Sequence, residues 1–466
     1  EFWAVMLSVL TNDTVGPVAR RNVKAILVYQ LLIGVADTIA LGSVFDAFLY
    51  LISGSKNEFV GYIESVNGLT SLVVAFPVGF AVDRYNRTAL LRAGVFFMLL
   101  SAFSLAITIW RHSTDWQLWV TMCVAGFGRE LVTSASEAIF ADSLKAGRRT
   151  KIYTMKAQLN TLASAAGPVV ALVCFLILGD TWRLSEVRTV LILGSTVYLP
   201  ALVILVLVRD PVRCGETEDA ENEEGESIAE IEGEVVQRAC CGMKSTAVPY
   251  VMSASSLITA LGAGMTIRFF ALYFKNDFNL LPMHLCMLDI SYMVSITIFM
   301  QFALSISNVL GRAQAACFCF GMNVTAFVLL SQVHMLSVVI PVYLVRGGLA
   351  NCTYPIDQSI LQDFIPSKTR GRWNAINSLF GMTWSGSAVL GGYLADHHGY
   401  RFSFLITAGL YTVGTLVYSP LLCLVPRKQK EQSLLDASVG GISMDSHIAD
   451  PTSEVGRSES GDASGG

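Results

Sequence analysis

Five ionisable side chains stand inside stretches that are otherwise almost wholly apolar: Asp37, Arg129, Glu130, Arg268 and Arg346. A charge at the centre of a membrane-length helix costs at least about 2.5–3.5 kcal/mol on insertion scales, so each of these groups needs a partner or a cargo. The chemistry they can support is reversible binding of a polar or charged small molecule, or proton carriage on a carboxylate. Gln30 precedes Asp37 by one heptad on the same helical face. Glu130, Ser134 and Glu137 form a stripe, and Thr353 and Asp357 share the face of Arg346. The plainer alternative is internal ion pairing that only holds helices together, for which Asp37–Arg129 is the candidate. Asp46, Glu64 and Asp289 lie near the ends of their runs and read as structural or gate pairs.

Other chemistries find no support. The histidines at 112, 284, 334, 397 and 398 fall at the ends of apolar runs and His447 in the tail, so a proton relay rests on carboxylates, with Asp37 and Glu130 foremost. No Gly-x-x-x-x-Gly-Lys-Ser/Thr phosphate loop occurs, which argues against an ATP-driven pump. No catalytic constellation, metal-ligand spacing, cofactor motif or nucleic-acid patch is visible; the chain reads as no enzyme.

The elements that must position these charges are membrane helices. Of 466 residues, 53% are hydrophobic and 15% charged, and the apolar runs have the length that crosses about 30 Å of hydrocarbon. Twelve runs are expected. The first six are Ala25–Leu51, Phe59–Ala81, Thr88–Trp110, Gln117–Ala141, Tyr153–Leu178 and Val187–Val208. The second six are Pro249–Phe274, His284–Ser305, Ala313–Ser331, Leu336–Gln358, Trp373–Ala395 and Phe402–Val425. Prolines 77, 168, 200 and 355 sit inside runs, where neighbouring helices can resatisfy the backbone.

The flanks on one side hold 22 Lys/Arg and those on the other hold 6, which places both termini in the cytosol. Trp110, Trp116 and Trp182 then fall at the outer boundary. The resulting organisation is a cytosolic segment 1–22, a six-helix bundle 23–208, a linker 209–247, a second bundle 248–426 and a tail 427–466. The linker carries ten Asp/Glu between Glu216 and Glu234, and like charges at that density repel and bury nothing, so linker and Ser/Gly-rich tail are expected to be disordered. The ten cysteines read mostly as small apolar residues, with Cys240-Cys241 as exposed reduced thiols or palmitate carriers. The chain starts at Glu1 rather than Met, as a fragment would.

The short loop Gly79-Phe-Ala-Val-Asp83-Arg84-Tyr-Asn-Arg87 joins the second and third runs. A weaker copy, Asn308-Val-Leu-Gly311-Arg312, follows the eighth, and Glu137-x4-Asp142 is echoed by Gln358-x4-Asp363. This duplication and the Gly-x-x-x-Asp-Arg-x-x-Arg spacing resemble the major facilitator superfamily, over roughly residues 23–426. The family pattern has Gly at Asn86 and a basic residue at Thr88. A further turn, Gly391-Gly-x-x-x-Asp396, is similar to the outer turn the family often has after helix 11 and reads as structural. Gly167-Pro168 resembles the core of the antiporter motif without its flanking glycines; sugar-porter motifs are absent, and Met122 stands where drug–proton antiporters have arginine.

The resemblance implies an all-α membrane protein of twelve transmembrane helices in two pseudo-symmetric six-helix bundles. It implies that helices 1, 4, 7 and 10 line the cavity, and these four carry Asp37, Arg129, Glu130, Arg268 and Arg346, with Gln30, Glu137 and Asp357 as secondary candidates. It also implies a cytosolic gate motif of Gly79, Asp83, Arg84, Arg87 and Asp142, with Asp83 facing the start of helix 11 and Arg87 reaching Asp142. The expected function is a monomeric, multi-pass secondary transporter with a small-molecule substrate, the bilayer and a proton as partners. Three basic groups near the cavity suggest an organic anion or a zwitterion. The alternatives are a facilitative uniporter, a non-transporting receptor or scaffold acting through linker and tail, and, more remotely, a channel.

Overall fold

The computed structural model describes residue 14 and residues 16–111, 115–144, 149–210, 239–240, 243–364, 380 and 383–425. The acidic stretch of the linker, the tail and the first residues of span 11 lie outside the described residues, as does the side chain of Asp83. Span 1 consists of Pro17–Ala40 and Ser43–Ile52, and spans 2 to 6 are Asn57–Arg84, Arg87–Arg111, Asp115–Asp142, Arg149–Leu178 and Leu184–Val206. In the second half, span 7 is Val248–Thr266 and Phe270–Phe278, span 8 is Pro282–Leu310 and span 9 is Arg312–Gln332. Span 10 is Leu336–Asn351 and Tyr354–Phe364, Ala388–His398 is the end of span 11, and span 12 is Tyr400–Tyr418, followed by Leu421–Leu424. A two-residue ladder, Ala239–Cys240 on Met243–Lys244, precedes span 7.

Ten of these segments are long and apolar enough to cross a membrane by length and composition. Span 4 is outside that set although it is 28 residues long, because it carries Arg129, Glu130, Glu137 and Asp142. The sides that face outward are apolar, as lipid requires: Phe76 is 85% exposed. Several polar side chains turn inward, Asn22, Thr266, Asn323 and Arg346 among them. The bundle end that carries Arg84 and Arg209 is called the linker face below, and the opposite end the far face.

Within the first half, span 1 packs on spans 5 and 6, and span 4 on spans 2 and 3; within the second, span 12 packs on spans 7 and 9, and span 10 on spans 8 and 9. Two long seams join the halves, span 2 on span 11 and span 5 on span 8. Exchanging the halves turns one seam into the other, which is the symmetry the duplicated sequence calls for. The span 2–span 11 seam is very close. A Cβ on Gly61 would meet the Ala388 carbonyl oxygen at 2.4 Å and one on Gly68 the Ser385 Cβ at 2.1 Å, so only glycine permits this approach.

Span 1 departs from expectation at its start and in its middle. Its helix begins at Pro17, with proline in the first turn where no N–H is needed. Asn22 is fully buried and exchanges hydrogen bonds with Arg209, donating to its carbonyl oxygen at 2.6 Å and accepting its N–H at 3.1 Å. Residues 17–22 are therefore part of the bundle. The helix then breaks at Leu41–Gly42, and span 7 breaks in the same way through a 3₁₀ turn at Ile267–Phe269.

The turn between spans 2 and 3 explains its own departures from the family pattern. Asn86 accepts the Thr88 N–H at 3.1 Å, so its side chain caps span 3. The Thr88 hydroxyl accepts the N–H of Asp210 at 3.0 Å. The copy in the second half keeps its glycine because Gly311 has φ +106°, a conformation other residues avoid.

Candidate substrate cavity and gate

A cavity of about 350 Å³ opens among spans 1, 3, 4 and 5, wholly within the first half. Arg129 of span 4 forks onto Asp37 of span 1, with Nη2–Oδ1 at 3.1 Å and Nη1–Oδ2 at 3.2 Å. Tyr198 of span 6 donates its hydroxyl to the same carboxylate at 2.5 Å. Nearer the linker face, Lys156 of span 5 pairs with Glu137 of span 4. Gln30 donates to Asn160 Oδ1 at 2.8 Å beside it, and Ile33 and Met98 supply apolar wall. The cavity thus holds two acid–base pairs and a sum of charge of zero.

Asp37, Arg129, Gln30 and Glu137 all come together in this lining. Glu130 is on span 4 but is not part of it; it accepts a hydrogen bond from Ser134 at 3.0 Å, one turn along its own helix. Sequence reasoning missed Tyr198, Lys156 and Asn160. Lys156 carries a signal, since it sits inside a membrane helix, but it counts equally well as a flanking charge. A tyrosine and an asparagine among apolar residues carry almost none.

Arg268 lies at the breaks of spans 1 and 7 and joins the halves. Its Nη2 is 3.0 Å from Glu64 Oε2, its Nη1 donates to the Leu41 carbonyl oxygen at 2.8 Å and lies 3.8 Å from Asp46 Oδ1, and its guanidinium rests 5.2 Å from the Trp384 ring. The charge expected in the cavity is therefore the centre of a cluster toward the far face. It satisfies a carbonyl that the helix break frees, the condition for irregular backbone at membrane depth. Further contacts between the halves line that face. Trp182, expected in the outer aromatic belt, donates to the Leu280 carbonyl oxygen at 2.9 Å, and Asp180 accepts the Met283 N–H at 2.9 Å.

Arg346 is only 1% exposed and outside the cavity. Its guanidinium is sandwiched 4.9 Å from the Phe270 ring and 4.8 Å from Phe327, with Tyr292 and Tyr411 nearby. Nε and Nη2 have no hydrogen-bond partner among the described residues. Cation–π contact replaces a counter-ion here. Asp357, one of its expected companions, instead accepts the Tyr418 hydroxyl at 2.7 Å.

At the linker face Arg87 pairs with Asp142, joining spans 3 and 4. Its copy Arg312 reaches Ser359 of span 10 at 3.2 Å. Arg84 is exposed with its guanidinium 5.7 Å from the Phe80 ring, and a Cβ placed on Gly79 would meet no described atom within 4 Å beyond its chain neighbours and its own helix backbone. The sequence matches the Major Facilitator Superfamily over residues 26–244 and 252–442. The chain belongs to this superfamily. No curated protein matches it.

Solved structures of superfamily transporters share the fold. A bacterial homologue of the iron transporter ferroportin in its inward-facing state aligns with a TM-score of 0.65 at 12% identity, covering 86% of this chain and 98% of its own. A bacterial homologue of ferroportin in an outward-facing state gives 0.54 at 11% identity, over 86% and 98%. The human organic anion transporter MFSD10 gives 0.59 at 14% identity, over 86% and 100%. As a superfamily member the chain is a multi-pass membrane protein of the transporter fold.

Proposed function

We propose that the protein is a secondary transporter that carries a small charged molecule by alternating access, with the cavity between the Asp37–Arg129 and Glu137–Lys156 pairs as its site. One observation supports the reading: a polar cavity is lined on span 4 from Arg129 to Glu137, toward the linker face, while the Arg268 cluster ties the two halves together toward the far face. In this reading the linker face and both termini are cytosolic, following the excess of Lys/Arg there.

Asp37 is the proposed proton site. Protonation would release Arg129 and Tyr198 together, and the freed cation would then be open to an anionic group. Arg346 is proposed as the second-half cation that meets substrate when the halves rock; MFSD10, an organic anion transporter of the same fold, lends that chemistry a precedent. The competing reading is a facilitative uniporter, favoured by the fact that each acid in the cavity lining already has a basic partner.

Uptake into proteoliposomes with and without a pH gradient separates the two. Gradient-dependent uptake that Asp37→Asn abolishes supports coupling, and gradient-dependent uptake that survives this change refutes the role of Asp37. Uptake indifferent to the gradient supports the uniporter. A protein that no ligand stabilises and that takes up nothing, while its linker or tail recruits partners, would be a receptor or scaffold.

A further inference from the structure

We infer that the substrate of this cavity is an elongated zwitterion, with a cationic and an anionic end joined by a short apolar middle; the inference rests on the cavity being the transport site. The lining has two acids, Asp37 and Glu137, and two bases, Arg129 and Lys156. An anion or a cation binding there adds an uncompensated charge to a partly desolvated space inside the bilayer. A zwitterion adds none: its anionic end can join Arg129 and its cationic end Glu137 while Asp37 and Lys156 stay beside those same partners. Each ion then keeps an opposite charge, the condition under which buried charge is tolerable.

The placement of the pairs sets the shape. Arg129 and Glu137 are eight residues apart on one helix, a rise of about 12 Å between their Cα atoms. Asp37 and Gln30 stand at the matching levels of span 1, which runs the opposite way. Between the two polar levels, span 1 presents Ile33 to the cavity. A ligand that reaches both pairs therefore has its charges several carbons apart and an alkyl segment between them. A compact α-amino acid reaches one pair only.

The test uses three molecules of one carbon skeleton, 6-aminohexanoate, hexanoate and hexylamine, on the purified full chain carrying Ile33→Cys. Labelling of the introduced thiol by N-ethylmaleimide is read by mass spectrometry of its peptide, so that the native cysteines do not interfere. The expected result is that 6-aminohexanoate slows labelling at least about threefold, the effect of a ligand at twice its Kd, while the other two leave it unchanged. Slowing by hexanoate or hexylamine to the same degree, or by none of the three, overturns the inference and leaves the transport reading standing. An introduced thiol that is labelled from neither face of reconstituted membranes overturns the transport reading itself. Lys156→Met, which gives the lining a net negative charge, is expected to shift protection from 6-aminohexanoate toward hexylamine; no shift counts against the charge-matching argument.

Discussion

The carboxylate of Asp396, at the end of span 11, sits on the first turn of span 2: Oδ1 accepts the Asn57 backbone N–H at 3.0 Å and its Nδ2 at 2.7 Å, and Oδ2 accepts the Glu58 N–H at 2.8 Å. An anion at a helix N-terminus satisfies donors that the helix leaves unpaired and meets the positive end of its dipole. This contact belongs to the Gly391-Gly-x-x-x-Asp396 stretch, the turn expected to be merely structural. It joins the two halves at the far face. By resemblance to the family, Asp83 is expected to do the converse at the linker face, from the end of span 2 to the start of span 11.

Replacing Asp396 by Asn keeps an acceptor but removes the charge. A loss of about 1–2 kcal/mol from the far-shut state is expected, a shift of roughly fivefold to thirtyfold toward opening of the far face. Spin-label distances across that face in reconstituted protein report the populations; unchanged distances in both the Asn and Ala variants would remove the latch role.

Removing the guanidinium of Arg268 leaves Asp46 and Glu64 without their cation in a buried setting. Arg268→Ala is expected to cost about 3–5 kcal/mol in the state described here. Glu64→Gln in the same chain is expected to recover part of that loss, so a double-mutant cycle in thermal unfolding should show coupling. Additive single effects would mean that the pair contributes nothing of its own. Arg268→Lys is expected to retain only part, since an ammonium cannot serve the Leu41 carbonyl and both acids in one fork.

Tyr198→Phe removes the hydroxyl that supports Asp37. A hydrogen bond to a charged group contributes about 1.5–3 kcal/mol. If the Asp37–Arg129 pair exchanges during transport, the variant is expected to change the pH dependence of uptake with a small effect on the unfolding temperature. A changed unfolding temperature with an unaltered pH profile would reduce Tyr198 to a packing residue.

Arg346 offers a contrast between two truncations. Arg346→Ala leaves space among Phe270, Phe327 and the tyrosines, with a cost of about 2–5 kcal/mol by analogy with large-to-small core changes. Arg346→Met fills that space without a charge and is expected to be near neutral for stability, as replacement of buried ions by apolar groups often is. Uptake lost in both variants assigns the cation to transport, and uptake kept in the Met variant assigns it to packing alone.

The fold was legible because hydrophobicity and basic flanks are statements about the bilayer, and every helix answers to the same solvent. The pairs Asp37–Arg129 and Arg87–Asp142 were legible for a related reason: a charge in such a place needs an opposite charge, and few are in reach. Tyr198 and Asn160 were hidden because uncharged polar residues cost little in a helix and announce nothing. The place of Arg268 was misjudged because its partner is in part a backbone carbonyl, freed by a helix break at Leu41–Gly42 that hydropathy does not record. Arg346 was expected to face the cavity because the resemblance makes helix 10 cavity-lining and a buried cation needs a partner; aromatic faces supply one without any acidic residue to mark them.

The breaks in spans 1 and 7 leave two short distal pieces, Ser43–Ile52 and Phe270–Phe278, packed on one another beyond Arg268. Each is only about 14–15 Å long, and a break in the backbone sets each apart from the long helix before it. The Arg268 cluster is one of several fastenings there, beside the Asp396 carboxylate on the start of span 2 and the Trp182 and Asp180 contacts.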